Sequence, residues 1–523
     1  MPSNSKPAYD AIVIGSGPNG LSAAVTIARA KKSVLLLEAS DQLGGGTRSA
    51  QLTFPGFLHD VCSAVHPMAA ASPFFRSLPL HEHGLEWIHP PIPLAHPLDD
   101  GDAAFLYASL DQTKHFLGSD ARAYQTLVGT LTSNWSKLES SLLASPLAIP
   151  NHPFLLSRFG LHALQPATRL AKSYFQTEKA RALFAGLAAH SLLPLETWGS
   201  SAIALVLAAQ AHLAGWPIAK GGSQKIADSL ASYLRSLGGE IATNARVVST
   251  KDLPPARVIL CDLSPRGLLQ IAGENLPQHY VRALENYQYG AAAFKIDWAL
   301  RAPIPWKNSE CAKAGTIHLG GTLGEIADSE RALCTTHLHP HPYVLLSQPT
   351  LFDPTRIPDL QTLWLALKHQ SPDRRANEPG APRAVSEGGS WVSPSLLASH
   401  HSPLTTNPQI AWAYCHVPAN NLADMTSAIE SQVERFAPGF KNIILARSTK
   451  SPLQLESDNA NLVGGNITGG ANTLRQLFFR PTRLAYNTPL KHLFLCSAST
   501  PPGGGVHGMC GYHAALRALS VLK

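Results

Sequence analysis

Tyr9-Asp-Ala-Ile-Val-Ile-Gly-Ser-Gly-Pro-Asn-Gly20, with the run that follows to Arg48, decides the fold. Ala11–Ile14 is a short apolar run of the kind that forms a buried parallel strand. Gly15, Gly17 and Gly20 then give G-x-G-x-x-G at the turn, Leu21–Ala30 continues as an alanine-rich helix, and Ser33–Leu37 is a second buried strand closed by Glu38. This spacing predicts a βαβ unit built for a dinucleotide. Gly15 permits the tight turn, Gly17 lets backbone approach a pyrophosphate, and Gly20 lets helix and strand pack closely. Ile14, Pro18 and Asn19 flank these glycines, so they fall at the same phosphates. The helix N-terminus offers free N–H groups and the positive end of its dipole. Glu38, with Ala39 beside it, is placed to accept the ribose hydroxyls of an adenosine.

Directly downstream stands Asp41-Gln-Leu-Gly44-Gly45-Gly46-Thr47-Arg48. Here the sequence resembles the flavoproteins with two dinucleotide-binding motifs (GR2 type), in which a Gly-Gly element and an arginine follow the acidic strand end and touch FAD. The resemblance implies FAD as the cofactor and Gly44, Gly45, Gly46 and Arg48 as further contacts. In many relatives the arginine comes immediately after the glycine pair. Here Gly46 holds that place and Arg48 lies two residues on. Nicotinamide-binding domains usually lack this second glycine cluster.

The chain returns to the same domain twice. Lys220-Gly-Gly-Ser223 opens a helix with Ile226, Leu230, Leu234 and Leu237 at helical spacing, which Gly238-Gly239 stops. Glu240–Val248 and Arg257–Cys261 read as strands. The resemblance implies that the strand near Val247 lies against the adenine. Relatives usually carry a glycine-rich hairpin between these strands, and here only Ser249–Ala256 connects them. Last come a buried strand, Leu493–Cys496, the turn Ser497-Ala-Ser-Thr-Pro-Pro-Gly-Gly-Gly-Val-His507, and a helix to Leu522. By resemblance, Gly504, Gly505 and Val506 lie at the flavin, and Ser497 stands where relatives usually have glycine. His507, Cys510 and His513 are the nearest titratable candidates for catalysis, and each is equally readable as part of a helix.

These visits predict an α/β protein with a discontinuous Rossmann-like FAD-binding domain (1–75, 215–265 and 490–523). It is interleaved with an α+β substrate domain (76–214 and 266–489) on a mixed sheet. In the second domain Ala291–Ala299, Gly315–Leu319, Tyr343–Gln348 and Trp412–Val417 have strand character, and Ala121–Leu138 and Phe154–Phe175 read as helices. The Phe154–Phe175 run mixes leucines and phenylalanines with Arg158, Arg169 and Lys172, which fits a membrane surface or a core helix with snorkelling cations. Trp198–Ala219 is long and uncharged, but Gln210, His212 and Trp216-Pro217 favour a buried helix over a membrane span. Residues 368–408, with Pro372, Pro379, Pro382, Pro394, Pro403 and Pro408, read as a flexible insertion. His66-Pro67, near the end of a stretch at 51–68 that reads as a hairpin, reads as a histidine fixed in a loop more readily than as a catalytic group. Asn461–Pro481 divides evenly between backbone close to a ligand and a glycine-loosened turn.

Composition narrows the classes of partner. A net charge of +7 with no dense Lys/Arg block argues against nucleic acid. Seven scattered cysteines with no C-x-x-C spell neither a zinc site nor a redox disulfide, and an odd count suits a reducing compartment. Met1–Ala8 is short and polar and enters the first strand at once, which predicts no signal peptide. The expected location is therefore cytoplasmic, peripheral to a membrane where apolar substrate demands it, or the mitochondrial matrix in a eukaryote.

The βαβ unit, the Gly-Gly element, the Lys220 block, Asn461–Pro481 and the C-terminal STPPGGGVHGMCGYHAAL together resemble the phytoene desaturase-like flavoproteins. The branch resembled most is that of pyridine nucleotide-disulfide oxidoreductase domain-containing protein 2. The resemblance implies hydride transfer between a hydrophobic, isoprenoid- or polyene-like substrate and flavin, with oxygen or a quinone as reoxidant. Two other readings stand beside it: an amine or porphyrinogen oxidase, which needs an aromatic cage or polar anchor, and a flavin-binding regulator of the mitochondrial type with little turnover.

Overall fold

The computed structural model describes residues 8–145, 147–335, 338–358 and 408–523. Five strands, β1 (Tyr9–Ile14), β2 (Val34–Leu37), β9 (Glu240–Ala242), β10 (Ala256–Cys261) and β16 (Leu493–Leu495), form one sheet in the order β16-β10-β1-β2-β9. All its pairings are parallel. The central strands are buried on both faces, as continuous apolar runs such as Val34-Leu-Leu-Leu37 require. Four of the strands stop in line, so Gly15, Glu38, Asp262 and Cys496 emerge along one edge. In an open parallel sheet that carboxyl edge is where ligands bind.

The helix Pro18–Arg29 lies on this sheet and packs against the helices Gln224–Ser236 and Met509–Val521. Its contact with the C-terminal helix is close: a Cβ at Gly511 would stand 1.8 Å from the Asn19 carbonyl oxygen, and one at Gly508 would stand 2.2 Å from Ser22 Oγ. Only glycine fits at either position.

The second sheet has seven strands, β6 (Ile92–Pro97), β7 (Ala103–Leu106), β11 (Ala292–Leu300), β12 (Ala314–Leu319), β13 (Val344–Ser347), β14 (Gln409–Val417) and β15 (Ile444–Lys450). Their order is β15-β11-β14-β13-β12-β6-β7, with β6–β12 parallel and the other pairs antiparallel. Its apolar core packs against the Thr426–Phe436 helix. The helices Glu178–Ala189 and Ser201–Ala214 pack together beside β6 and β7. Short antiparallel pairs, β3 (Ser49–Gln51) with β4 (Leu58–Asp60) and β5 (Trp87–Ile88) with β8 (Ile218–Ala219), link the two halves.

A buried ionic cluster fixes that link. Arg356 reaches Asp60 at 2.5 Å and Asp353 at 3.0 Å, and none of the three side chains is exposed. Its remaining Nη2 donates to the Ala219 carbonyl at 2.8 Å. Asp60 also accepts from the Ser223 N–H, and Asp353 accepts from the Gly221 N–H, both at 2.7 Å. The Lys220-Gly-Gly-Ser223 turn is thus held by carboxylates whose charge Arg356 neutralises.

Several elements differ from the sequence expectation. The strand expected over Glu240–Val248 ends at Ala242, because Asn244 adopts φ +54° and breaks the ladder. Residues 243–255 hold a 3-10 turn at Thr250–Asp252 and no strand. The Phe154–Phe175 helix is two helices, Pro153–Ala163 and Ala167–Tyr174, split at Pro166, whose ring cannot continue the first. Ala121–Leu138 is interrupted by a π turn at Gln125–Gly129 and again at Asn134. The early hairpin pairs β3 with β4, while Pro67–Ala70 is helical. The long uncharged stretch is the helix Ser201–Ala214, and no helix among the described residues is long and apolar enough to cross a membrane. The proposed insertion at 368–408 lies outside the described residues except for Pro408.

Candidate active site

A cavity of ≈ 690 Å³ opens between the carboxyl edge of the parallel sheet and one face of the mixed sheet. It runs from Glu38, Arg246 and Val247, past Gly15 and Gly17, to Trp216, Trp412 and Tyr414. Of the residues expected at the cofactor, Ile14, Gly15, Gly17, Pro18, Asn19, Glu38, Ala39, Gly45, Gly46, Arg48, Val247, Gly505 and Val506 line it. Val247 does so from a loop, held alongside β2 by Asn244 N–H to the Ser40 carbonyl and Ala245 N–H to the Glu38 carbonyl, at 2.9 and 2.8 Å.

The glycine turn is steric in origin. Gly15 takes φ +95°, and a Cβ there would meet the Asp262 carbonyl oxygen at 2.9 Å. A Cβ at Gly17 would stand 2.6 Å from Asp262 Oδ2, and one at Gly20 would stand 2.0 Å from the Gly15 carbonyl oxygen. Gly20 and Gly44 therefore serve the packing behind the turn and do not line the cavity. Gly45 closes against Gly17, where a Cβ would approach Gly17 Cα at 3.2 Å, whereas a Cβ at Gly46 would meet nothing within 4 Å. The two glycine turns form a bare backbone wall, which fits the pyrophosphate of a dinucleotide.

Glu38 is oriented before any ligand arrives. Its Oε2 accepts from the Ser16 N–H (2.9 Å) and the Ser16 hydroxyl (2.5 Å), and its Oε1 accepts from the Ser40 N–H (2.9 Å). A carboxylate offers about four acceptor positions, so Oε1 retains capacity for a ribose hydroxyl. Arg48 bridges the second glycine turn to the end of the Pro452–Asp458 helix, donating to the Gly45 carbonyl (3.1 Å) and the Asp458 carbonyl (2.8 Å).

Asp262 was not anticipated as a site residue. It is buried behind the first glycine turn, with Oδ2 accepting from the Gly20 N–H at 2.9 Å. Burial, with Glu38 adding repulsion, pushes its carboxyl up to about 7 against the opposing Gly20 hydrogen bond. The signal was present in the sequence: an acid directly follows the apolar strand β10, as Glu38 follows β2.

The far end of the cavity is apolar and aromatic. Met68, Leu207, Trp216, Leu345, Trp412 and Tyr414 line it together with His66, His190 and Thr316. Trp412 and Tyr414 project from one face of β14 and stack with centroids 5.7 Å apart and planes 8° apart. Lys295 lies over the Trp412 ring and is paired with Asp297, both buried. Burial alone would raise the Asp297 carboxyl, but Lys295 and His59 hold it below the usual carboxylate range. His66 lines the cavity yet is fixed, as a loop histidine, by Ser223 Oγ at 2.9 Å and Ser63 Oγ at 3.2 Å. Burial lowers its ring to about 4 despite nearby Asp60.

The C-terminal candidates do not reach the cavity. His507 is buried with Nδ1 accepting from the Met509 N–H at 3.0 Å, which shapes the turn into the last helix. Cys510 is buried with its thiol on the Thr500 and Gly503 carbonyls, both at 3.4 Å, and burial pushes it up to about 11. His513 meets the Leu143 carbonyl at 2.9 Å. Gly504 turns away as well, against the Thr468 backbone. The Asn461–Pro481 segment brings residues to the cavity, and of its two arginines only Arg475 lies at the surface. Asn461, Ile467 and Gly469 line the cavity, Arg475 is exposed, and Arg480 is buried against the Gly470 carbonyl at 3.2 Å.

Known proteins resemble this chain in sequence and in fold. Residues 13–78 match the NAD(P)-binding Rossmann-like domain family. Pyridine nucleotide-disulfide oxidoreductase domain-containing protein 2 of Rattus norvegicus is 25% identical over 98% of this chain and 93% of its own length. Phytoene desaturase of Fusarium fujikuroi is 23% identical over 95% of this chain and 86% of its own. Both are homologues of this protein. The solved structure of cyclohexylamine oxidase from Brevibacterium oxydans IH-35A superposes with a TM-score of 0.56 at 15% identity, covering 99% of each chain. It shares the fold.

Proposed function

We propose that this protein is an FAD-dependent oxidoreductase that moves hydride between a hydrophobic substrate and flavin. The observation that carries the reading is the continuity of the cavity, from the Glu38 carboxylate and the paired glycine turns to an apolar, aromatic far end. Homology to phytoene desaturase supports a desaturase or dehydrogenase. Bound FAD supplies the redox chemistry, and the protein supplies position and environment. Glu38 and Val247 would hold the adenosine, the Gly15–Gly20 and Gly44–Gly46 turns the pyrophosphate, and Gly505 and Val506 the flavin end. Leu207, Leu345 and Trp412 exclude water around the reacting C–H bond. Oxygen or a quinone is the expected reoxidant.

The test is anaerobic bleaching of the purified, FAD-loaded protein by apolar donors, followed by reoxidation with quinone. A polyene or isoprenoid that bleaches the flavin supports the reading. A yellow protein that no polyene, amine or porphyrinogen bleaches turns it toward the regulatory alternative.

A membrane contact belongs to the same proposal. On and beside the Pro153–Ala163 helix, Ile149, Phe154 and Leu161 are 95%, 90% and 71% exposed, with Arg158, Arg169 and Lys172 exposed nearby. Apolar side chains flanked by cations suit an anionic bilayer surface, from which an apolar substrate is drawn.

A further inference from the structure

His190 caps the Glu178–Ala189 helix and borders the aromatic end of the cavity, and its Nε2 lies 3.0 Å from Nε2 of His318 on β12. A hydrogen bond between the two nitrogens holds one proton, and burial keeps both rings neutral, so one must donate and the other accept. His318 is wholly buried, and its other nitrogen, Nδ1, has no hydrogen-bond partner. The proton is therefore assignable from the network. If His190 donated, His318 would carry an N–H on Nδ1 buried with nothing to accept it, and orphaned buried N–H groups are the rarest kind. If His318 donates, Nδ1 keeps only a bare lone pair.

We infer that His318 donates from Nε2 to His190, that His190 in turn presents its Nδ1–H to the cavity, and that this end binds a neutral apolar molecule carrying a carbonyl oxygen. The inference rests on reading this end as the substrate's. Two neighbours support it: Trp412 Nε1 and Thr316 Oγ1 are also buried without partners here, and an indole N–H can only donate. Among the described residues that line this end, an ammonium group finds no counter-charge. The acidic residues lining the cavity, Glu38, Asp262 and Asp458, sit by the glycine turns, with Glu38 bound to Ser16, Asp262 to Gly20 and the Asp458 backbone to Arg48. Burial lowers the His190 ring to about 3, so it stays a neutral donor across the physiological range.

The experiment titrates the FAD-loaded protein with decan-2-one, decane and decylamine, read by quenching of tryptophan fluorescence. The infrared carbonyl band of bound decan-2-one is recorded in parallel. One net hydrogen bond predicts that the ketone binds about tenfold more tightly than the hydrocarbon, with its carbonyl band moved to lower frequency. His190→Phe should abolish both effects. His318→Phe, which frees His190 to hold its proton on either nitrogen, should reduce the preference about threefold. Equal binding of ketone and hydrocarbon, an unshifted band in wild type, or tightest binding of decylamine would each overturn the inference. The infrared result needs no variant, and the flavin content of the same samples tests the FAD reading separately.

Discussion

Asp262 owes its chemistry entirely to where β10 ends. A carboxyl with an ordinary value of 3.8 is raised to about 7 by burial under the glycine turn. The unfolded chain releases that proton near pH 4 and the folded chain keeps it to about pH 7. The folded state therefore binds more protons in between, and its stability falls as pH rises through that window. We expect the dinucleotide-free protein to lose on the order of 2–4 kcal/mol from this group between pH 4 and 8. Asp262→Asn should flatten the profile, as read from urea midpoints across that range. At Gly17 the expectation is steric. A methyl group 2.6 Å from Asp262 Oδ2 must displace the carboxylate or the turn, so Gly17→Ala should weaken FAD binding at least about tenfold, a cost of 1.4 kcal/mol or more. Equilibrium dialysis measures it. Glu38 and the glycines were legible in the sequence because their roles are local. His190 and His318 were not, since 128 positions separate two rings that meet only after folding.

Whole elements were legible where period and punctuation agreed. The first strand, glycine turn, helix and second strand stand where the sequence placed them, because each is fixed by its own residues. The strand through Val247 and the continuous helix over Phe154–Phe175 were not. Asn244 in the left-handed region and Pro166 ended them early, and one residue outweighed the apolar pattern around it. Close packing of elements was invisible for a related reason, since an interface glycine resembles any other. Gly511→Ala would drive a methyl group into the Asn19 carbonyl and should cost about 3 kcal/mol of stability. Thermal or urea unfolding reads that loss. Arg356→Met would leave Asp60 and Asp353 buried without their counter-charge. The expected penalty is about 3–5 kcal/mol, by the same measurement. A loss under 1 kcal/mol would show that the cluster is not what holds the Lys220 turn.

For the molecule as a whole, the interleaving of two sheets follows from returns of the chain that the sequence displays as recurring glycine turns beside buried strands. The cavity between the sheets was not visible in the same way, because its aromatic end is assembled from β12, β13, β14 and two distant helices. The exposed apolar surface around Phe154 and Leu161 makes its own prediction. The protein should sediment with anionic vesicles, and Phe154→Glu with Leu161→Glu should reduce the bound fraction several-fold without changing the flavin spectrum. The most direct test of the central claim is titration of the dinucleotide-free protein with FAD, NAD and NADP, followed by gel filtration and an absorption spectrum. The account predicts one FAD retained per chain, a flavin spectrum and a raised unfolding temperature, with Gly17→Ala retaining far less. Failure to retain FAD, or retention of a nicotinamide dinucleotide in its place, would contradict it.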